Sequence, residues 1–167
     1  MTRPAIEPGD GPVSGPRTFC VAVADASHAR VLVLEPDRET GDAAASELVE
    51  VAEITNPLVR VRSAAGRSHD RREIERHFAA EIAAEAAAVW SCYPPCELIV
   101  VASPAMLAAL RSAIRDRLAG PIAPSGIHEL ARDLVKLSGP RLRDELAGAG
   151  LVPARTAVHR SGLAGWQ

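Results

Sequence analysis

The chain has 167 residues, 47% of them hydrophobic and 24% charged, with a formal net charge of −2. That is the balance of one globular domain large enough to bury a real core. Only 3% of the residues are aromatic, which excludes a nucleic-acid surface built on repeated base stacking. The charge excludes a uniformly basic binder and leaves room for a local basic patch. With 31 Ala in the chain and Arg supplying 18 of the 19 basic residues, the core must be made of Val, Leu, Ile and Ala. Three cysteines, Cys20, Cys92 and Cys96, cannot all pair within one monomer, which favours a reducing compartment. No apolar run reaches the length of a membrane span.

In chain order, residues 1–17 hold Pro4, Pro8, Gly9, Gly11, Pro12, Gly15 and Pro16, which reads as a disordered leader without a secretory apolar block. The organised domain is expected over 18–152, with a tail at 153–167. Phe19–Ala24 is a nearly continuous apolar run, the pattern of a buried strand. After the turn residues Asp25-Ala26-Ser27, Val31–Leu34 predicts the second strand of a hairpin. Glu35–Ser46 reads as a loop, and Glu47–Thr55 alternates as a half-exposed edge strand. Leu58–Arg72 has no stable apolar period and is the longest candidate loop.

A long helix is predicted from near Asp70 to Trp90. Asp70 and Glu73 have capping-box spacing, and Ile74, Phe78, Ile82, Ala86 and Val89 form one apolar stripe. Leu98–Ala102 reads as a second buried strand, and Ser103-Pro104 as the start of a helix with Leu107, Leu110, Ile114 and Leu118 facing inward. A weak strand within Ile122–Leu130 follows, then a short turn or helix over Ala131–Leu137. Ser138-Gly139-Pro140 opens a last helix that buries Leu142 and Leu146 and ends near Gly148. The order β-β-β-α-β-α-β-α predicts a single α/β domain with a mixed five-stranded sheet, strand order 3-2-1-4-5. Helices lie on both faces, as in ribonuclease-H-like folds.

Three groups of residues can carry chemistry. From Arg60 to Arg72 there are five Arg against one Asp: Arg60, Arg62, Arg67, Arg71 and Arg72, with Gly66, Ser68 and His69 among them. Guanidinium groups take phosphate in a bidentate fork, and a helix start favours anions, so this segment is the candidate RNA or phosphate contact. The competing reading is a solvated loop whose Arg residues pair with Glu53, Glu73 or Glu75. The second group is Asp25-Ala26-Ser27-His28. Asp25 is either a turn residue or part of a metal-dependent nuclease or phosphoesterase, with Glu35, Glu97 or Asp133 as companions. The catalytic candidates are thus Asp25 and Asp133, without an established constellation or any cofactor. The third, Cys92-Tyr-Pro-Pro-Cys96, has no second Cys/His pair, so it reads as a rigid turn and not a metal site.

VAVADASHARVLVLE (Val21–Glu35), AGRSHD (Ala65–Asp70), HFAAEIAAE (His77–Glu85), LIVVASPAMLAALR (Leu98–Arg111) and RDLVKLSGPRLRDEL (Arg132–Leu146), in this order and spacing, resemble the bacterial host attachment protein family. That family is similar to the middle domain of archaeo-eukaryotic peptide release factors, in which a Gly-Gly-Gln loop precedes a long helix. Gly66-Arg67-Ser68 stands at the loop position and lacks the Gln, so release chemistry is not implied. Ser63-Ala64-Ala65 also departs from the family's Asp-Arg-Pro lead into that loop, and Leu107-Ala108-Ala109-Leu110-Arg111 from its Leu-Gly-x-Leu-Arg. With the cytoplasmic location expected from the cysteines and the missing signal and membrane segments, the resemblance points to an accessory factor that binds the ribosome or tRNA; neither membrane nor DNA is an expected partner, and a homo-oligomer is left open. The alternatives are the metal-dependent enzyme and a non-enzymatic protein-interaction module serving attachment.

Overall fold

The computed structural model describes residues 17–57, 68–94, 96–118 and 126–155. The expected leader, up to residue 16, and the tail from 156 onward lie outside the described residues. So do Arg60, Arg62, Gly66 and Arg67 of the candidate phosphate segment.

β1 (Thr18–Ala24) and β2 (His28–Leu34) form an antiparallel hairpin, and β3 (Val49–Thr55) adds to the far side of β2. β4 (Cys96–Ala102) lies parallel to β1 on its other side, and β5 (Ile127–Ala131) lies parallel to β4. The sheet order is β3-β2-β1-β4-β5, as the sequence predicts. β2 begins three residues earlier than the apolar run suggests. The connection from β1 is a tight turn closed by Asp25 N–H donating to the His28 carbonyl at 2.9 Å, so pairing resumes at once. β3 is the half-exposed edge expected of it. A register shift opposite Val31/Leu32 interrupts its ladder, a device that blunts an open edge.

Alternation along the strands sends side chains to two layers. On one face Cys20, Ala22, Ala24, Leu98, Val100 and Ala102 are covered by α1 (Ser68–Ser91) and α2 (Pro104–Leu118). On the other, Phe19, Val21, Val23, Ile99 and Val101 meet Leu142 and Leu146 of α3 (Gly139–Gly148) and Ala43 of the 3-10 turn Ala43–Ala45. The sheet-facing alanines let α1 settle close: Ala79, Ala83 and Ala86 are buried in the same layer as Phe78 and Ile82. α3 ends at Gly148, as the sequence predicts, and Gly150 two residues on, with a φ of 74°, supplies the left-handed cap that Gly adopts without strain.

One boundary needs correction. α1 starts at Ser68, so Asp70 lies inside the helix and is not its N-cap, and Ser68, His69, Arg71 and Arg72 are helical and not loop residues. The helix begins two residues ahead of the start that the Asp70/Glu73 spacing suggests. Among the described residues, no helix is long and apolar enough to cross a membrane.

Candidate functional site

The geometry around α1 follows from its length. Twenty-four helical residues span about 36 Å at 1.5 Å each. The seven residues of β4 span only about 23 Å. The far end of α1 is pinned at the start of β4, where the Trp90 indole N–H donates to the Cys96 carbonyl at 2.8 Å. The surplus length therefore projects past the opposite end of the sheet. Burial agrees: Phe78 is the first fully buried residue of α1, and Arg71, Arg72, Glu73, Arg76 and His77 ahead of it are exposed.

These first turns form one wall of a groove of about 530 Å³ between α1 and α2. Arg72, Glu75, Arg76, Ala80 and Ala83 line it from α1, and Ala109, Ser112, Ala113, Asp116 and Arg117 from α2. The Arg76 guanidinium lies 3.5 Å from Glu73, and His77 lies 3.4 Å from the same carboxylate. At such exposure these pairs contribute little to stability and leave the Arg76 guanidinium available to a ligand. The alternative pairing expected from sequence is thus present in part: Glu73 takes Arg76, whereas Arg71 and Arg72 stand exposed. The groove lining was not legible in the sequence, because it joins two helices some forty residues apart in the chain.

The Asp25 turn stands at the same end of the sheet. Asp25 Oδ1 accepts hydrogen bonds from the backbone N–H of Ser27 (2.7 Å) and of His28 (2.7 Å) and from the Ser27 hydroxyl (3.0 Å). Partial burial pushes the carboxyl upward, but the two backbone N–H bonds, the Ser27 hydroxyl and the neighbouring His28 outweigh it and hold the carboxyl below its ordinary value. Ser27 Oγ is in turn 3.0 Å from His28 Nδ1. Buried Asn56 fixes the turn from the side. Its backbone N–H donates to the Ser27 carbonyl at 2.8 Å, and its amide donates to the Ala26 carbonyl at 3.1 Å. A small cleft of about 190 Å³ beside the turn is lined by Asp25, His28, Arg30, Glu53, Val135 and Lys136. Asp25 is therefore built into the turn through its Oδ1.

The carboxylates proposed as its catalytic companions do not join it. Glu97 pairs in register with Phe19, six residues before Asp25, which places it about 20 Å away along the sheet. Glu35 follows Leu34, which also pairs with Phe19, so it lies at that same far end. Asp133 is exposed just past the end of β5, on Asp25's side of the sheet but two strands across, about 10 Å at the usual strand spacing. Among the described residues no three His, Cys, Asp or Glu side chains come together as a metal site. Strand register thus separates Glu35 and Glu97 from Asp25, although composition alone allows them to meet.

Two functional-looking cysteines are equally local. Cys92 is exposed at the end of α1, and Cys96 is the first residue of β4. Burial pushes the thiols of Cys96 to about 11 and Cys20 to about 12, which keeps both protonated and unreactive at neutral pH.

What sequence reasoning missed is Arg143. It is fully buried and donates to the carbonyls of Ser46 (2.8 Å), Ala43 (2.9 Å) and Pro153 (3.2 Å). Arg30 similarly donates to the carbonyls of Val135 (3.0 Å) and Leu137 (2.6 Å) and to Glu50. The only local signal for Arg143 was its place beside Leu142 on the inward stripe of α3.

Comparison with known proteins adds the relationship. The model of the family described as "Protein required for attachment to host cells" matches residues 20–146. No curated protein matches significantly. Among solved structures, the Pelota protein of Thermoplasma acidophilum is similar over 83% of this chain at 11% identity and a TM-score of 0.42. The chain spans 35% of that protein's length. With the family model covering most of the domain, from within β1 to the end of Leu146 on α3, the chain belongs to the family of proteins required for attachment to host cells.

Proposed function

We propose that this chain is a cytoplasmic RNA-binding accessory factor that associates with the ribosome or with tRNA. It would hold RNA phosphates through the first turns of α1 and the arginine-rich segment ahead of them, without Gly-Gly-Gln release chemistry. The observation that carries this reading is the overhang of α1: Arg71, Arg72 and Arg76 stand exposed before the first buried residue, Phe78, with Arg117 on the facing wall of the groove. Residues 60–77 hold six Arg against Asp70, Glu73 and Glu75, a local charge of +3 in a chain whose net charge is −2. Anion binding there gains from the guanidinium forks and from the helix N-terminus together. Arg60, Arg62 and Arg67 join the interface on this reading, with Gly66-Arg67-Ser68 leading into the helix.

The test is co-sedimentation with ribosomes from lysate at low salt, alongside direct RNA binding across a salt series. Expected is association that weakens steeply with salt, and a weaker, flatter dependence in the Arg67→Ala/Arg71→Ala double variant. A protein that stays off ribosomes and binds RNA no worse after that double substitution would refute the reading.

A direct role in attachment is the second reading, and one observation favours it. Val49 (60% exposed) and Val51 (42% exposed) are the large apolar side chains left exposed among the described residues, both on the β3 edge. It requires the protein on the cell surface, so recovery of all of it from the cytosolic fraction would eliminate direct adhesion.

A further inference from the structure

Resting on the reading of the α1–α2 groove as an RNA site, we infer that its ligand is double-stranded, A-form RNA gripped along its sugar–phosphate surface, and not an unpaired strand. Three observations converge. The first is the absence of rings. No aromatic side chain lines the groove. Phe19 and Phe78 are buried in the two core layers, and Trp90 is engaged with Cys96 at the opposite end of α1. Proteins that hold single strands splay the bases and stack them chiefly on aromatic faces, with arginine planes as a second platform. Besides the charged residues and Ser112, a base flipped into this groove would meet the small side chains Ala80, Ala83, Ala109 and Ala113. A duplex keeps its own bases stacked and asks only for contacts to its backbone.

The second observation is spacing. Arg72 and Arg76 are four residues apart on α1, so they share one face of the helix about 5–6 Å apart. Arg117 supplies a third cation from α2. Cations on two walls of one groove suit a ligand whose phosphates run along two ridges.

The third is the mixed charge of the lining. A surface that read phosphates alone would be uniformly basic, and Glu75 and Asp116 would oppose it. The minor groove of an A-form helix instead presents 2′-hydroxyls between its phosphates. A hydroxyl donates to a carboxylate and exchanges hydrogen bonds with another hydroxyl. Glu75, Asp116 and Ser112 therefore have partners on an RNA duplex that neither duplex DNA nor bare polyphosphate offers. On this assignment Arg72, Arg76 and Arg117 bind phosphate, and Glu75, Ser112 and Asp116 bind ribose.

The experiment titrates the full chain with three probes of one sequence and about 16 base pairs or nucleotides: duplex RNA, duplex DNA and single-stranded RNA. Duplex RNA is expected to bind at least about tenfold more tightly than either of the others, the size of one or two hydrogen bonds to charged groups. In the Glu75→Ala/Asp116→Ala variant, removal of two negative charges should raise affinity for duplex DNA while the RNA-to-DNA ratio falls toward one. Circular dichroism confirms that this surface variant is folded. If single-stranded RNA binds as tightly as the duplex, or the double variant raises affinity for all probes by one common factor, the inference is wrong and the RNA-binding reading stands. If none of the RNA probes binds, that reading fails and takes the inference with it.

Discussion

On the α3 face of the sheet, Arg143 is buried to the last atom and spends its guanidinium on backbone carbonyls of the 3-10 turn and the C-terminal segment. Arg155, beside it, bridges Glu47 and Asp144, and Arg30 ties β2 to the turn before α3. On the α1–α2 face, Arg71, Arg72 and Arg76 lie in solvent along the overhanging helix, held at most by one shared glutamate. The same residue type thus serves as internal scaffold on one side and as an open cationic edge on the other. What separates the two uses is the supply of orphan carbonyls. The irregular 3-10 turn and tail on the α3 face have backbone acceptors to satisfy, whereas the regular turns of α1 satisfy their own.

Removing Arg143 should break the closed side of this contrast most severely. Arg143→Met keeps volume but leaves the carbonyls of Ser46, Ala43 and Pro153 without their donor, with an expected cost of about 3–5 kcal/mol in urea unfolding. The apolar layer beneath the open side is the next test. Ala86 is fully buried, with its carbonyl 3.9 Å from Cys20 Sγ, so Ala86→Leu must push α1 off the sheet and should cost about 1–3 kcal/mol by the same measurement.

At the Asp25 turn the expected effect is smaller and depends on pH. Its carboxyl is depressed in the folded state, so its contribution is present above the unfolded value near 4 and is lost as pH falls through the lower folded value. Asp25→Ala should destabilise by about 1 kcal/mol at pH 7, limited by the turn's contact with water, and the gap from the parent should close in unfolding curves taken as pH falls below about 4. On the open side, Arg71→Ala/Arg72→Ala should leave stability within about 0.5 kcal/mol while reducing the salt slope of RNA binding by about 2. A large loss of stability there would mean that these arginines are scaffold after all, and the contrast between the faces would collapse.

The candidate site was legible to very different degrees along the chain. The concentration of Arg between residues 60 and 76 was visible because charge clustering needs no tertiary information. That Arg72 and Arg76 share a groove with Arg117 was not visible, since it depends on how α1 and α2 lie against each other. Asp25 shows the reverse case. Its type and its place after a buried strand suit both a turn and a catalytic carboxylate, and only the structure shows the three donors on Oδ1 that build it into the turn. Glu97 and Asp133 looked equivalent as partners until register placed them at opposite ends of the sheet.

By itself the sequence determined the elements and their order. The continuous apolar runs of β1 and β4, the alternation of β3 and the three-to-four spacing in the helices reflect local geometry, the two-residue period of a strand and the 3.6-residue period of a helix. With short connections and the crossover rule, those elements admit few sheets, and the order 3-2-1-4-5 is the one adopted. Only the tertiary structure decided which charged groups are committed. Whether an arginine is buried like Arg143 or exposed like Arg72 depends on which backbone acceptors distant segments bring to it, and no local period records that.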